Sequence, residues 1–219
     1  MTRRGALPPV DCALYLVTDR HQTAGRPLVA LLREALGAGL RLVQLREKDL
    51  PTRALLELAR DVRALTREHG AKLLINDRLD IAMAVEADGV HLRSDSLPVA
   101  VVRRLLGPDH LIGFSAHSVD EAVKAACEGA DFAVLGPVYE TPSKRRYGLP
   151  IGLRPIEEAA RRCRIPVLAI GGITAARAGE VRRAGAFGVA VISSILSAPG
   201  VAAATGELLD AIVASRAGR

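Results

Sequence analysis

Aromatic side chains are scarce in this chain: 3 Tyr, 3 Phe and no Trp give 3% of 219 residues. A basic stripe interleaved with base-stacking rings is therefore excluded, and the net charge of +6 needs another reading. Most Arg residues are spaced singly along amphipathic segments, as on solvated helix faces. Neither nucleic acid nor a membrane is an expected partner. Cysteine is equally sparse. Cys12, Cys127 and Cys163 show neither metal-ligand nor CxxC spacing and read as reduced thiols of a cytoplasmic protein. No uninterrupted run of 18 or more apolar residues is present, and Arg3, Arg4 and Asp11 bracket only ALPPV, too little for a signal peptide. A dinucleotide fingerprint and a nucleophilic Ser elbow are also missing. Lysine is the rarest basic residue. Only Lys48, Lys72, Lys124 and Lys144 stand among 30 basic residues, and Lys48 and Lys144 fall in polar clusters. A compact ammonium, rather than a guanidinium, is wanted there.

What the chain does have is a recurring pattern. Short apolar runs each stop at a polar cluster: Leu14–Asp19, Leu42–Lys48, Lys72–Asp77, Gly89–Leu92, Leu111–Ser118, Phe132–Val138, Pro166–Gly172 and Gly188–Ser194. The runs are rich in Val, Ile and Leu with little alternation, as parallel strands buried on both faces should be. Helical segments are expected at about Pro27–Leu36, Pro51–His69, after Asp77, and at Pro98–Leu106. Others are expected from Ser118 to Gly129, then Pro155–Cys163, Thr174–Ala184 and Gly200–Ala214. Ser118 with Glu121 three residues on makes a capping box. Eight strands alternating with helices predict a single-domain (β/α)8 TIM barrel, α/β in class, over residues 1–219, with 1–11 a loose leader. In that fold the chemistry sits at the C-terminal strand ends, where the polar clusters fall. The stretch TPSKRRYGLP (141–150) reads as a functional loop.

Two anion sites emerge. Strands seven and eight end in IGGIT and VISSI, each running into a helix. Gly171-Gly172 and Ile192-Ser193 form a phosphate cradle of backbone N–H groups; alternatively the glycines make a tight turn and the serines cap a helix. The second site is basic. Gln44, Arg46 and Lys48 alternate onto one face of strand two, with Val43, Leu45 and Glu47 on the other. A polar trio inside a barrel strand is costly unless it meets a ligand or a partner, the partner reading being an ion pair to a carboxylate such as Asp77. Thr141–Lys144 adds two hydroxyls and an ammonium. Three converging cations suggest a diphosphate, which usually needs Mg2+ on one or two carboxylates. Asp77, after Asn76, is the natural ligand, or else the N-cap of the next helix. Ser115 and His117 end strand five. His117 is either an acid/base group or a core histidine, and His91 on strand four is read as structural.

The motifs VQLREK, LLINDRLDIAMAVEADGVHL, GFSAHS, EGADFAVLGPVYETPSK, IPVLAIGGIT and GVAVISSI together resemble the thiamine-phosphate synthases and the related thiazole tautomerases, over about Leu14–Leu196. The resemblance implies that Gln44, Arg46, Lys48, Asn76, Ser115 and Lys144 bind an aminopyrimidinylmethyl diphosphate. It implies that Thr141, Ser143, Gly172, Ile192 and Ser193 bind a thiazole phosphate, and that Asp77 binds Mg2+. Arg46, Lys48, Lys144 and Ser115 would act on the leaving diphosphate in a dissociative transfer to the thiazole nitrogen. The chain departs from the family after strand four. Where the synthases read HxGQEDLP, this chain reads HLRSDSLP. Ser96 stands at the place of the second metal-binding Asp, and Asp95 comes one residue early. Asp77 is then the main ligand and Asp95 at best a water-mediated one. Tautomerases also lack that Asp and use a His in the segment of His117, but would not need the retained Arg46, Lys48, Asp77 and Lys144. A non-catalytic phosphate-binding barrel is the reading from another class. Homo-oligomerisation is left open.

Overall fold

A computed structural model describes residues 11–141 and 149–215. The expected leader (1–11), apart from Asp11, and the loop segment 142–148 lie outside the described residues. Eight parallel strands close a barrel in sequence order, with β8 pairing back onto β1. They are β1 Leu14–Val17, β2 Leu42–Leu45, β3 Lys72–Asn76, β4 Gly89–Leu92, β5 Leu111–Ala116, β6 Phe132–Leu135, β7 Val167–Ile170 and β8 Gly188–Val191. Around them lie α1 Leu28–Gly37, α2 Thr52–Glu68, α3 Leu79–Ala84, α4 Val99–Leu106, α5 Val119–Glu128, α6 Arg154–Arg162, α7 Ala175–Arg183, α8 Ser193–Leu196 and α9 Val201–Ala214. The (β/α)8 barrel expected from the sequence is the observed fold. The expected helix bounds differ by a residue or so, within the ordinary fraying of helix ends.

Strand parity divides the core in two. Tyr15, Val17, Leu42, Leu74, Leu111, Phe132, Val134, Leu168 and Ala190 pack together inside the barrel. Their neighbours in sequence, such as Leu16, Val43, Leu73, Ile75, Val90 and Ala133, face the helices. Each fully buried Leu or Val contributes roughly 1.5–3 kcal/mol relative to exposure. Helix α2 shows how a helix joins this layer: Leu55, Ala59, Val62 and Leu65 recur at helical spacing and are all buried. It follows Pro51 and stops before Gly70, whose φ is +60°, a backbone state that glycine adopts at low cost. At α5, Ser118 Oγ accepts from the Glu121 N–H at 3.2 Å. The reciprocal half of the capping box is shifted by one residue, because Glu121 Oε2 accepts from the His117 N–H at 2.7 Å.

Two short elements fall outside the expected helical segments. A 3-10 turn spans Arg20–Gln22, opened by Asp19, whose carboxylate accepts from the His21 N–H. Helix α8 follows β8 directly. Strand β2 is also shorter than the run Leu42–Lys48. Pairing stops at Leu45, and the Arg46 N–H turns instead to the Thr18 hydroxyl at 2.9 Å. That hydroxyl in turn donates to Glu47 at 2.7 Å.

Candidate active site at the C-terminal mouth of the barrel

The Thr18 bond fixes the parity of the β2 exit. Glu47 is buried at 5% exposure and accepts from Thr18 and from the Arg20 backbone N–H at 3.1 Å. With Glu47 held on that side, Gln44, Arg46 and Lys48 all reach a cavity of about 770 Å3 at the C-terminal strand ends. Asn76, His91, Arg93, Asp95, Ser115, His117, Thr141, Gly172, Ile192 and Ser193 line the same cavity. Ser143 and Lys144, expected at this mouth, lie outside the described residues.

Asp77 takes a different position from the others. Its φ is +65°, and α3 has Arg78, not Asp77, at its N-cap position, with no side-chain cap. The capping alternative is thereby removed. The Asp77 carboxylate pairs with Arg93, Oδ2 lying 3.0 Å from a terminal guanidinium nitrogen. The same nitrogen is 3.3 Å from Asp95 Oδ2. Two carboxylates thus converge on one point where a cationic nitrogen sits. Hard oxygen donors from one or two carboxylates, completed by substrate oxygens, are what Mg2+ takes, so the pair fits that ion if Arg93 gives way. Among the described residues there is no group of three or more His, Cys, Asp or Glu side chains placed to hold a metal ion. Ser96 is used differently: its Oγ accepts from the Arg93 N–H at 2.8 Å, closing the turn after β4.

Opposite this charged wall, the loops after β7 and β8 present backbone. Gly171 and Gly172 have φ of +100° and +65°. A Cβ on Gly172 would lie 2.8 Å from the Glu140 carbonyl oxygen and 2.9 Å from Tyr139 Cβ, so only glycine fits without movement. The Gly172 carbonyl accepts from Arg177 at 2.8 Å, and the Ser194 hydroxyl donates to the Ile173 carbonyl. The β7 and β8 loops are tied to each other, with α8 starting at Ser193 beside them. Helix starts and glycine turns of this kind accept phosphate oxygens through N–H groups.

Two histidines resolve differently. His117 is exposed and at the cavity wall, so it is not a core histidine. Its Nδ1 lies 3.1 Å from the Gly136 carbonyl, which can only accept, so Nδ1 carries a proton and Nε2 is the ring nitrogen left for another partner. His91 is 2% exposed, bonded to Tyr15 and Ser115. Burial, and secondarily the nearby Arg46 charge, push its pKa down to about 3, so it is neutral. Arg93 and Tyr15 escaped the sequence reading. The parity that linked Gln44, Arg46 and Lys48 also links His91 to Arg93, and would have found the latter.

A (β/α)8 barrel with side-chain cations on one wall of its mouth and a glycine cradle on the other belongs to the class of enzymes that handle phosphorylated small molecules. Comparisons narrow that class. Residues 14–195 match the family model for thiamine monophosphate synthase. A relative from Geobacter sulfurreducens is 55% identical over 190 residues, 87% of this chain and 89% of its own. The thiamine-phosphate synthase of Roseiflexus castenholzii is 46% identical over 197 residues, 90% of this chain and 86% of its own. The solved structure of thiamine phosphate pyrophosphorylase from Pyrococcus furiosus superposes with a TM-score of 0.85 at 38% identity, covering 93% of this chain and 96% of that one. The chain belongs to the thiamine monophosphate synthase family.

Proposed function

We propose that the protein is a thiamine-phosphate synthase. It joins the pyrimidinylmethyl group of 4-amino-5-hydroxymethyl-2-methylpyrimidine diphosphate to the nitrogen of a thiazole phosphate, giving thiamine phosphate and diphosphate. One observation carries the reading beyond family membership: a single cavity has a cationic side-chain wall and a backbone cradle, one for each anionic substrate. Arg46 and Lys48 receive the diphosphate, with Ser115 and Asn76 beside them. Lys144 is assigned to the same group by its motif. The C–O bond to the diphosphate breaks and the electron pair leaves with it. The aminopyrimidine stabilises the methylene cation, so no protein base is required. The thiazole nitrogen then forms the C–N bond. Arg46 and Lys48 act by preorganised charge at the leaving oxygens. Thr141, Ser143, Gly172, Ile192 and Ser193 hold the thiazole phosphate at the other wall. Asp77 and Asp95 would hold Mg2+, which would neutralise further diphosphate charge. The reduced thiols fit work in the cytoplasm.

The test is a mixture of both substrates with Mg2+, followed by detection of thiamine phosphate. Formation that is lost in chelator supports the proposal. A second reading has one observation in its favour: the His117 imidazole, at the cavity wall with Nδ1 bonded to backbone, suits proton transfer on a thiazole, as in a tautomerase. Turnover of the thiazole alone, with no coupled product, would shift the assignment to that reaction.

A further inference from the structure

Beneath the cationic wall, four side chains form one hydrogen-bonded row. Gln44 Nε2 donates to Tyr15 Oη at 3.0 Å. Tyr15 Oη lies 3.3 Å from His91 Nδ1. His91 Nε2 lies 2.9 Å from Ser115 Oγ. Tyr15 is 0% exposed and Gln44 2%, so no bulk water completes their bonding. The imidazole is locked in place. Its ring centroid is 5.7 Å from that of Tyr15 and 5.8 Å from that of Phe132. On its remaining side it meets Gly113, where a Cβ would fall 2.4 Å from Nδ1. The lack of a side chain at Gly113 makes the room that this ring needs.

The row has a direction. Tyr15 Oη accepts from Gln44, so its own hydrogen is left for His91 Nδ1. A neutral imidazole has one N–H. With Nδ1 accepting, that hydrogen is on Nε2 and is donated to Ser115 Oγ. The Ser115 hydroxyl then has a lone pair engaged from below and its own hydrogen free to point into the cavity. Reversal, with the Gln44 carbonyl toward Tyr15, would make Ser115 donate to His91 and present lone pairs beside Arg46 and Lys48, where an anion is to bind. We infer that Tyr15 and His91 are positioning residues that set the proton of Ser115, holding its hydroxyl as a hydrogen-bond donor to the anionic ligand on that wall. Each donor in the row is polarised by the one before it. The identity of the ligand as a diphosphate rests on the function proposed above; the direction of the row does not.

The experiment has two arms. The first is two-bond 1H–15N NMR of the ligand-free protein at pH 7. The His91 ring is expected as the Nε2–H tautomer, Nδ1 showing the shift of a bare imine nitrogen; an Nδ1–H tautomer overturns the inference. The second measures the affinity of inorganic diphosphate with Mg2+ for wild type, Tyr15→Phe, Ser115→Ala and the double variant. Ser115→Ala is expected to weaken binding about 10- to 100-fold, as for a lost hydrogen bond to a charged group. Tyr15→Phe is expected to weaken it several-fold in wild type and to have no effect once Ser115 is Ala, because its influence passes through that hydroxyl. Equal weakening by Tyr15→Phe in both backgrounds overturns the inference, since that is the result of a merely structural role. Should Tyr15→Phe fail to fold, the wild-type tautomer decides. An Nε2–H tautomer in a wild type that binds no diphosphate upholds the direction of the row and sinks the substrate reading instead.

Discussion

On the β2–β5 side of the cavity the chemistry rests on side chains, Gln44, Arg46, Lys48, Asn76 and Ser115, whereas on the β7–β8 side it rests on the backbone of Gly171, Gly172 and the start of α8. The difference teaches where each wall is vulnerable. Removing a side chain from the first wall deletes a charge or a donor and leaves the chain path alone. The Arg46 backbone, for instance, keeps its bond to Thr18 whatever its side chain. Among the described residues the second wall presents no charged side chain to the cavity, and it is broken by adding atoms.

The largest effect is expected from the first wall. Arg46→Ala should lower kcat/KM by about 100- to 1000-fold, the range for losing a preorganised donor at developing charge, with the Tm nearly unchanged. A loss under tenfold would mean that Lys48 and its neighbours suffice. Gly172→Ala should act on the other substrate. The added Cβ meets the Glu140 carbonyl in a left-handed backbone state, a strain of roughly 1–3 kcal/mol. KM for the thiazole phosphate should rise about tenfold, while diphosphate affinity stays within twofold. If both change together, the walls are not independent.

A smaller effect is expected in the pH dependence of stability. His91 faces Tyr15, Ser115 and Phe132, with Arg46 nearby, and has a pKa near 3 when folded. The unfolded chain, with a His pKa near 6.5, binds the extra proton between those values. Stability is therefore full above about pH 6.5 and is lost as pH falls toward 3. Denaturant unfolding of wild type and His91→Gln over pH 7 to 4.5 should show a shallower acid decline in the variant. Parallel declines would assign the acid limb to other groups. The smallest effect concerns the loop after β4. Asp95→Ala should raise the Mg2+ concentration for half-maximal rate, and Ser96→Asp should lower it by a few-fold at most, because the Ser96 side chain is turned to the Arg93 backbone. A larger gain from Ser96→Asp would restore the expectation that Asp95 stays outside direct coordination.

Most of the barrel could be read from the sequence because each strand is an apolar run ended by polar residues, and parity alone sorted Gln44, Arg46 and Lys48 from Glu47. What escaped was of another kind. Tyr15 sits in LYLV and reads as core, since a buried hydroxyl shows its purpose only when His91 and Gln44 are known to be beside it. Arg93 reads as a loop residue until Asp77 and Asp95 are seen to share its guanidinium. Helix α8 is one turn long, too short for a hydrophobic period to announce it. The β2 strand ends before its polar run does because Thr18, from a distant part of the chain, captures the Arg46 N–H that would have continued the ladder.

The Arg93 bridge also bears on heat and chelators. Two carboxylates facing one point repel each other unless a cation lies between them, and proteins that rely on a metal for this lose melting temperature when it is stripped. Here the chain supplies the cation itself. The melting curve is therefore expected to be the same with and without EDTA, and Arg93→Ala should make it respond to added Mg2+: the ion becomes a structural component only when the guanidinium is taken away.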